Sequence, residues 1–167
     1  MALGTQINSV NIVAVWSLEE GKEVASLTGH TGWIVSVLFT FDGKFVVSNS
    51  LDGTMKIWSI GEGMKIATLT RHNNNQVNSI TITRDGKFIL SGSKDKTIRI
   101  WSLEDRKEQI TLTGHSDSVN SVAVTSDGKY AISGSYDKTV KIWSLETMAE
   151  VATFSPYKCS EVSGCFC

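Results

Sequence analysis

Three sets of serine, histidine and aspartate recur along the 167-residue chain: Ser48, His30 and Asp52; Ser91, His72 and Asp95; Ser133, His115 and Asp137. In a hydrolase those side chains cooperate, the carboxylate orienting the imidazole and the imidazole taking the serine proton. An active site needs one such set in one cleft. Here the set returns at a fixed phase, which argues for a building element and against a catalyst. Other chemistry is sparse. There is no Gly-x-x-x-x-Gly-Lys-Ser/Thr loop to cradle a phosphate. Cys159, Cys165 and Cys167 have thiol ligands to offer zinc, but no fourth ligand lies at a suitable spacing. No cofactor, metal or catalytic residue is expected.

The elements that position these sets repeat as well. Tryptophans stand at 16, 58, 101 and 143, spaced by 42, 43 and 42, and each is followed by serine. An Asp-Gly-Lys triplet begins at 42, 85 and 127, and an aspartate precedes the last three tryptophans by six residues. The extra residue of the middle copy falls in the Asn73-Asn74-Asn75 run, where a loop absorbs it. Within the third copy, Val119 to Val124, Tyr130 to Ser133, Val140 to Trp143 and Glu150 to Phe154 are short alternating runs. Asp127-Gly128 between the first two is a hairpin signal. Four such runs and no helical period predict one small antiparallel sheet per copy. A lone sheet of that size is not stable, so the copies must cover one another.

Composition agrees with an all-β chain that turns on Gly and Asp: 14 glycines, one proline, 41% hydrophobic and 20% charged residues. Sixteen basic against 17 acidic residues leave a net charge of −1, without the positive footprint that nucleic-acid binding requires. No apolar run approaches the roughly 18 residues of a membrane span. The N-terminus lacks the pattern of a secretory signal. Three cysteines confined to the last nine positions build no disulfide framework, so an intracellular, cytoplasmic protein is expected.

These motifs resemble the WD40 family, whose repeat carries a Gly-His pair before its first strand and a Trp-Asp pair ending its third. Gly29-His30 and Gly114-His115 match, Arg71-His72 keeps the histidine, and the final pair is Trp-Ser throughout. The resemblance covers nearly the whole chain. It implies an all-β fold of β-propeller blades, each a four-stranded antiparallel sheet. It also implies a structural tetrad in each blade: His30, Ser48, Asp52 and Trp58; His72, Ser91, Asp95 and Trp101; His115, Ser133, Asp137 and Trp143. In that tetrad aspartate fixes the imidazole, histidine reaches the serine, and serine meets the indole N–H. Each satisfied bond contributes about 1 kcal/mol net.

The chain divides as a single WD40 region: a partial blade over 1–28, repeat units over 29–70, 71–113 and 114–155, and a first strand over 156–167. At the start, Val10 to Trp16 reads as a third strand, Glu23 to Leu27 as a fourth, and Ala2 to Thr5 as a worn second strand. Val10 stands where the tetrad aspartate would be, so this copy is degenerate. At the end, Glu161 to Cys167 aligns on Ser118 to Val124, with Cys165 and Cys167 as small buried hydrophobes. The Cys-x-Cys ending also resembles a double-prenylation signal of small GTPases, but nothing else in the chain does. The total is about four blades' worth of strands. A piece of a seven- or eight-bladed propeller, two chains forming an eight-bladed ring, and a lone four-bladed ring all fit. Open ends would leave several hundred Å² apolar, worth on the order of 10 kcal/mol if buried at about 25 cal/mol per Å², and favour self-association through blade edges.

By the same resemblance, partners contact three positions of each repeat on one face of the ring. Here these are Trp33, Val35 and Leu51; Gln76, Asn78 and Lys94; Ser118, Asn120 and Tyr136. Trp33 is off pattern, since the other copies have Gln76 and Ser118 there. An aromatic at a rim is a candidate hot spot. The expected function is a non-catalytic scaffold or adaptor that binds other proteins. The alternative is an architectural subunit or fragment of a longer propeller.

Overall fold

The computed structural model describes residues 2–7, 10–70, 72 and 75–155. Among them there is no helix. Fifteen strands form four antiparallel sheets: β1 (Ala2–Ile7), β2 (Val10–Trp16) and β3 (Glu23–His30); β4 (Ile34–Phe39), β5 (Phe45–Ser50), β6 (Met55–Ser59) and β7 (Met64–Leu69); β8 (Val77–Ile82), β9 (Phe88–Ser93), β10 (Ile98–Ser102) and β11 (Lys107–Leu112); β12 (Val119–Val124), β13 (Tyr130–Ser135), β14 (Val140–Ser144) and β15 (Ala149–Phe154). Every sheet is a meander, its strands ordered as in the chain. The first strands β4, β8 and β12 pack in series along the inner edge, with β1 against β4. Ala2–Ile7 is a strand paired to β2, so among the described residues the first sheet holds three strands. Residues 156–167, with the three cysteines and the strand expected there, lie outside the described residues.

The hairpins follow from side-chain chemistry. The hydroxyls of Thr40, Thr83 and Thr125 donate to Asp42, Asp85 and Asp127 over 2.6 Å, and the same carboxylates accept the N–H of Lys44, Lys87 and Lys129. The glycine between them takes φ of 68–71°, a left-handed conformation that costs glycine little. These bonds hold the three aspartates below the usual carboxylate range.

Each sheet has two apolar faces of different character. One carries the tryptophan, buried in the last three sheets but 42% exposed as Trp16 in the first, and a register shift immediately before Trp16, Trp58, Trp101 and Trp143 marks a bulge repeated in all four sheets. The other is an aliphatic row. Val47, Met55, Ile57 and Leu69 pack under Val77, Ile80 and Trp101 of the next sheet. Leu90, Ile98, Ile100 and Leu112 pack likewise under Val119, Val122, Ala131 and Trp143. Val13, Val15 and Leu27 of the first sheet cover Val46 and Trp58. Three sheet-to-sheet junctions thus reuse one design. The fourth row, Ile132, Val140 and Phe154, faces outward, Phe154 being 57% exposed where its counterpart Leu112 is 4%. Among the described residues the array is therefore open at this end, consistent with a partial propeller.

Candidate functional site

The three Ser-His-Asp sets assemble in the same way. Each histidine stands just before a sheet, each aspartate in the turn after its second strand, and each serine within that strand. His30 Nδ1 lies 2.9 Å from Asp52 Oδ2 and its Nε2 lies 2.8 Å from Ser48 Oγ, which accepts the Trp58 indole N–H at 2.9 Å. His72, Asp95, Ser91 and Trp101 repeat this at 2.9, 2.7 and 2.8 Å. His115, Asp137, Ser133 and Trp143 do so at 2.7, 2.7 and 2.8 Å. In all three sets the carboxylate faces Nδ1 of the ring, and the serine that accepts the indole N–H faces Nε2.

The electrostatics suit a support. Burial is the largest influence on His30 and lowers its pKa; hydrogen bonding and charge from Asp52 oppose it, and Lys56 and Lys65 add to it. Burial alone would raise the pKa of Asp52. Hydrogen bonds from Thr54, His30 and the Thr31 amide outweigh that and hold it far below the usual carboxylate range. Asp95 is held at about 2 despite its burial, by bonds from His72 and Thr97. Asp137 is held low by Thr139, His115 and Ser116 against the same opposition. The serines are sealed from solvent, Ser48 and Ser91 at 0% exposure. A nucleophile placed there meets no substrate. Polar groups buried between sheets need partners, and these sets supply them.

A different surface is available for contact. The Leu51 N–H donates to the Trp33 carbonyl at 2.9 Å, Lys94 to Gln76 at 3.0 Å, and Tyr136 to Ser118 at 2.9 Å. Each bond clasps the loop before a first strand to the loop after the second, at the same end of each sheet. Trp33, Val35, Leu51, Lys94 and Tyr136 turn outward, Trp33 and Tyr136 being 67% and 69% exposed. Gln76, Asn78 and Asn120 are half-buried. Ser118, read from sequence as a contact residue, is instead buried, and its hydroxyl accepts from Asn78 Nδ2 at 2.9 Å. Asn78 also donates to the Val119 carbonyl, so this pair ties two neighbouring sheets together.

Sequence reasoning passed over Phe41, which is 70% exposed at the opposite end of the sheets. The signal that singles out Trp33 was present there too, since the other copies have Arg84 and Ser126 at that phase. Among the described residues no cluster of three or more His, Cys, Asp or Glu is placed to hold a metal. Nor is any helix long and apolar enough to cross a membrane.

Meander sheets stacked through a Trp face and an aliphatic face, each junction sealing an Asp-His-Ser-Trp network, define an array of β-propeller blades. The chain belongs to the WD40 family: the model described as "WD domain, G-beta repeat" matches residues 21–59, 63–102 and 106–144. The match places the repeat boundaries about eight residues ahead of the Gly-His pairs. The comparison with curated proteins finds no match. WD40 repeats generally mediate protein–protein interaction and are typically non-catalytic.

Proposed function

We propose that this chain is a non-catalytic scaffold or adaptor that binds another protein through the Trp33 end of its sheets. The observation that carries this is the outward ridge of Trp33, Val35 and Leu51, continued around the array by Lys94 and Tyr136. Large aromatics held on clasped backbone lose little entropy on binding and dominate interface energetics. The sealed tetrad serines support a role without catalysis, and the near-neutral charge favours a protein partner over nucleic acid. The test is affinity capture with the wild type, the Trp33→Ala/Tyr136→Ala double variant and Phe41→Ala, each shown folded by circular dichroism. Proteins retained by the wild type and Phe41→Ala but lost by the double variant support the reading. Equal retention by all three overturns it.

A second reading is favoured by the outward row Ile132, Val140 and Phe154. In it the chain is an architectural subunit, or part of a longer propeller, that assembles through this face. Light scattering after size exclusion separates the two: a monomer near 18.2 kDa opposes assembly, and a dimer or larger species supports it.

A further inference from the structure

On the two outer strands, one cation–carboxylate contact recurs in the blades. In the last, Lys141 Nζ donates to Glu150 Oε2 at 2.9 Å and to Thr153 Oγ1 at 2.7 Å. In the middle one, Arg99 Nη1 donates to Glu108 Oε2 at 2.9 Å, and Thr111 donates to the same carboxylate. The blade of β4 to β7 keeps the cation and the hydroxyl, as Lys56 and Thr68, but has Lys65 where the next two have Glu108 and Glu150. Lys56 is 6% exposed, and its ammonium has a hydrogen bond of only 3.4 Å, to Thr68 Oγ1. The space above it differs as well. A Cβ at Gly114 would meet Glu150 Oε2 at 3.1 Å; at the equivalent Gly29 only Trp58 Cη2, at 3.6 Å, lies within 4 Å.

We infer that Lys56, Lys65, Thr68 and the open space over Gly29 form a carboxylate site, filled by an acidic side chain of a partner protein. The Asp52 charge favours the Lys56 ammonium, but among the described residues no ion pair is formed with it, and an incoming anion relieves both the cost of burial and the repulsion from Lys65. Burial first and Lys65 second lower the Lys56 pKa against the opposing charge of Asp52, and an anion seated on the ammonium would add to the Asp52 effect. The acidic-partner part of this inference rests on the protein-binding reading. The carboxylate site itself does not.

The experiment is a titration followed by amide and indole NMR, with acetate and then a blocked peptide carrying one glutamate, at constant ionic strength. The sister blade in the same molecule is the control. Expected is a saturable shift of the Gly29 amide and the Trp58 indole, with Gly114 and Trp143 unmoved. In Lys65→Glu the response disappears, and the unfolding midpoint rises by about 2–4 °C because the internal pair is restored. Lys56→Met keeps the fold and also loses the response. No saturable shift, equal shifts in both blades, or an unchanged response in Lys65→Glu overturns the site. A response to acetate without one to the peptide overturns the partner assignment and leaves a site for small carboxylates.

Discussion

The Leu51 N–H reaches the Trp33 carbonyl over 2.9 Å, and both side chains point away from the sheet that this bond closes. The clasp is made by backbone, and the indole is 67% exposed. Trp33→Ala is therefore expected to change stability by no more than about 0.5 kcal/mol, as exposed substitutions do. Urea unfolding checks this. A loss of several kcal/mol would show that Trp33 is packed.

The tetrads predict the opposite behaviour. Ser91→Ala removes the acceptor of the Trp101 N–H and the hydrogen-bond partner of His72 Nε2, in a site closed to water. Orphaned buried groups cost about 1–3 kcal/mol each, so a loss of about 2–4 kcal/mol is expected by denaturant unfolding. Ser116→Ala, on an exposed residue, is its control.

Acid should unfold the protein in two stages. Burial lowers the His30 pKa below its ordinary 6.5, so the unfolded chain takes up the proton more readily. That contribution is complete above about pH 6.5 and declines as pH falls below it. Asp95, lowered from 3.8 to about 2, contributes fully above about pH 4 and loses its share between 4 and 2. Its share is on the order of 2 kcal/mol. Asp52 and Asp137 act in the same direction. Unfolding midpoints measured from pH 8 to pH 3 should fall gently first and steeply below 4; a flat profile would contradict the assignment.

Two glycines at equivalent positions report on the open end. A Cβ at Gly92 would lie 2.7 Å from Val119 Cγ1 of the next sheet, whereas at Gly134 nothing lies within 4 Å. Gly92→Ala is expected to cost about 1–3 kcal/mol through overpacking. Gly134→Ala should be near neutral in the monomer. If Gly134→Ala proves as costly as Gly92→Ala, a further blade covers the last sheet in solution.

Much of this architecture is legible in the sequence because the repeat states it three times. Trp58, Trp101 and Trp143, with their histidines, aspartates and serines, recur at a phase that only stacked sheets explain. What varies between copies was harder to read. Ser118 sits at a rim position, yet Asn78 of the preceding sheet draws it inward, a contact no spacing along the chain reveals. Asn49 likewise spans to the Val77 carbonyl of the next sheet, where the other copies have glycine. The side-chain environment of the outer strands depends on which cation meets which carboxylate across a hairpin. The exchange of Glu108 or Glu150 for Lys65 acquires meaning only when Lys56 is seen buried beneath it.

The central claim, that a partner protein sits on the Trp33 end of the sheets, is tested most directly by site-specific photocrosslinking. A benzophenone side chain would be placed at Val35 and, separately, at Phe41, residues exposed at opposite ends of the same sheet. Irradiation should give discrete protein adducts from position 35 that Tyr136→Ala weakens, and none from position 41. Adducts from position 41 alone, or equal adducts from both, would contradict the account.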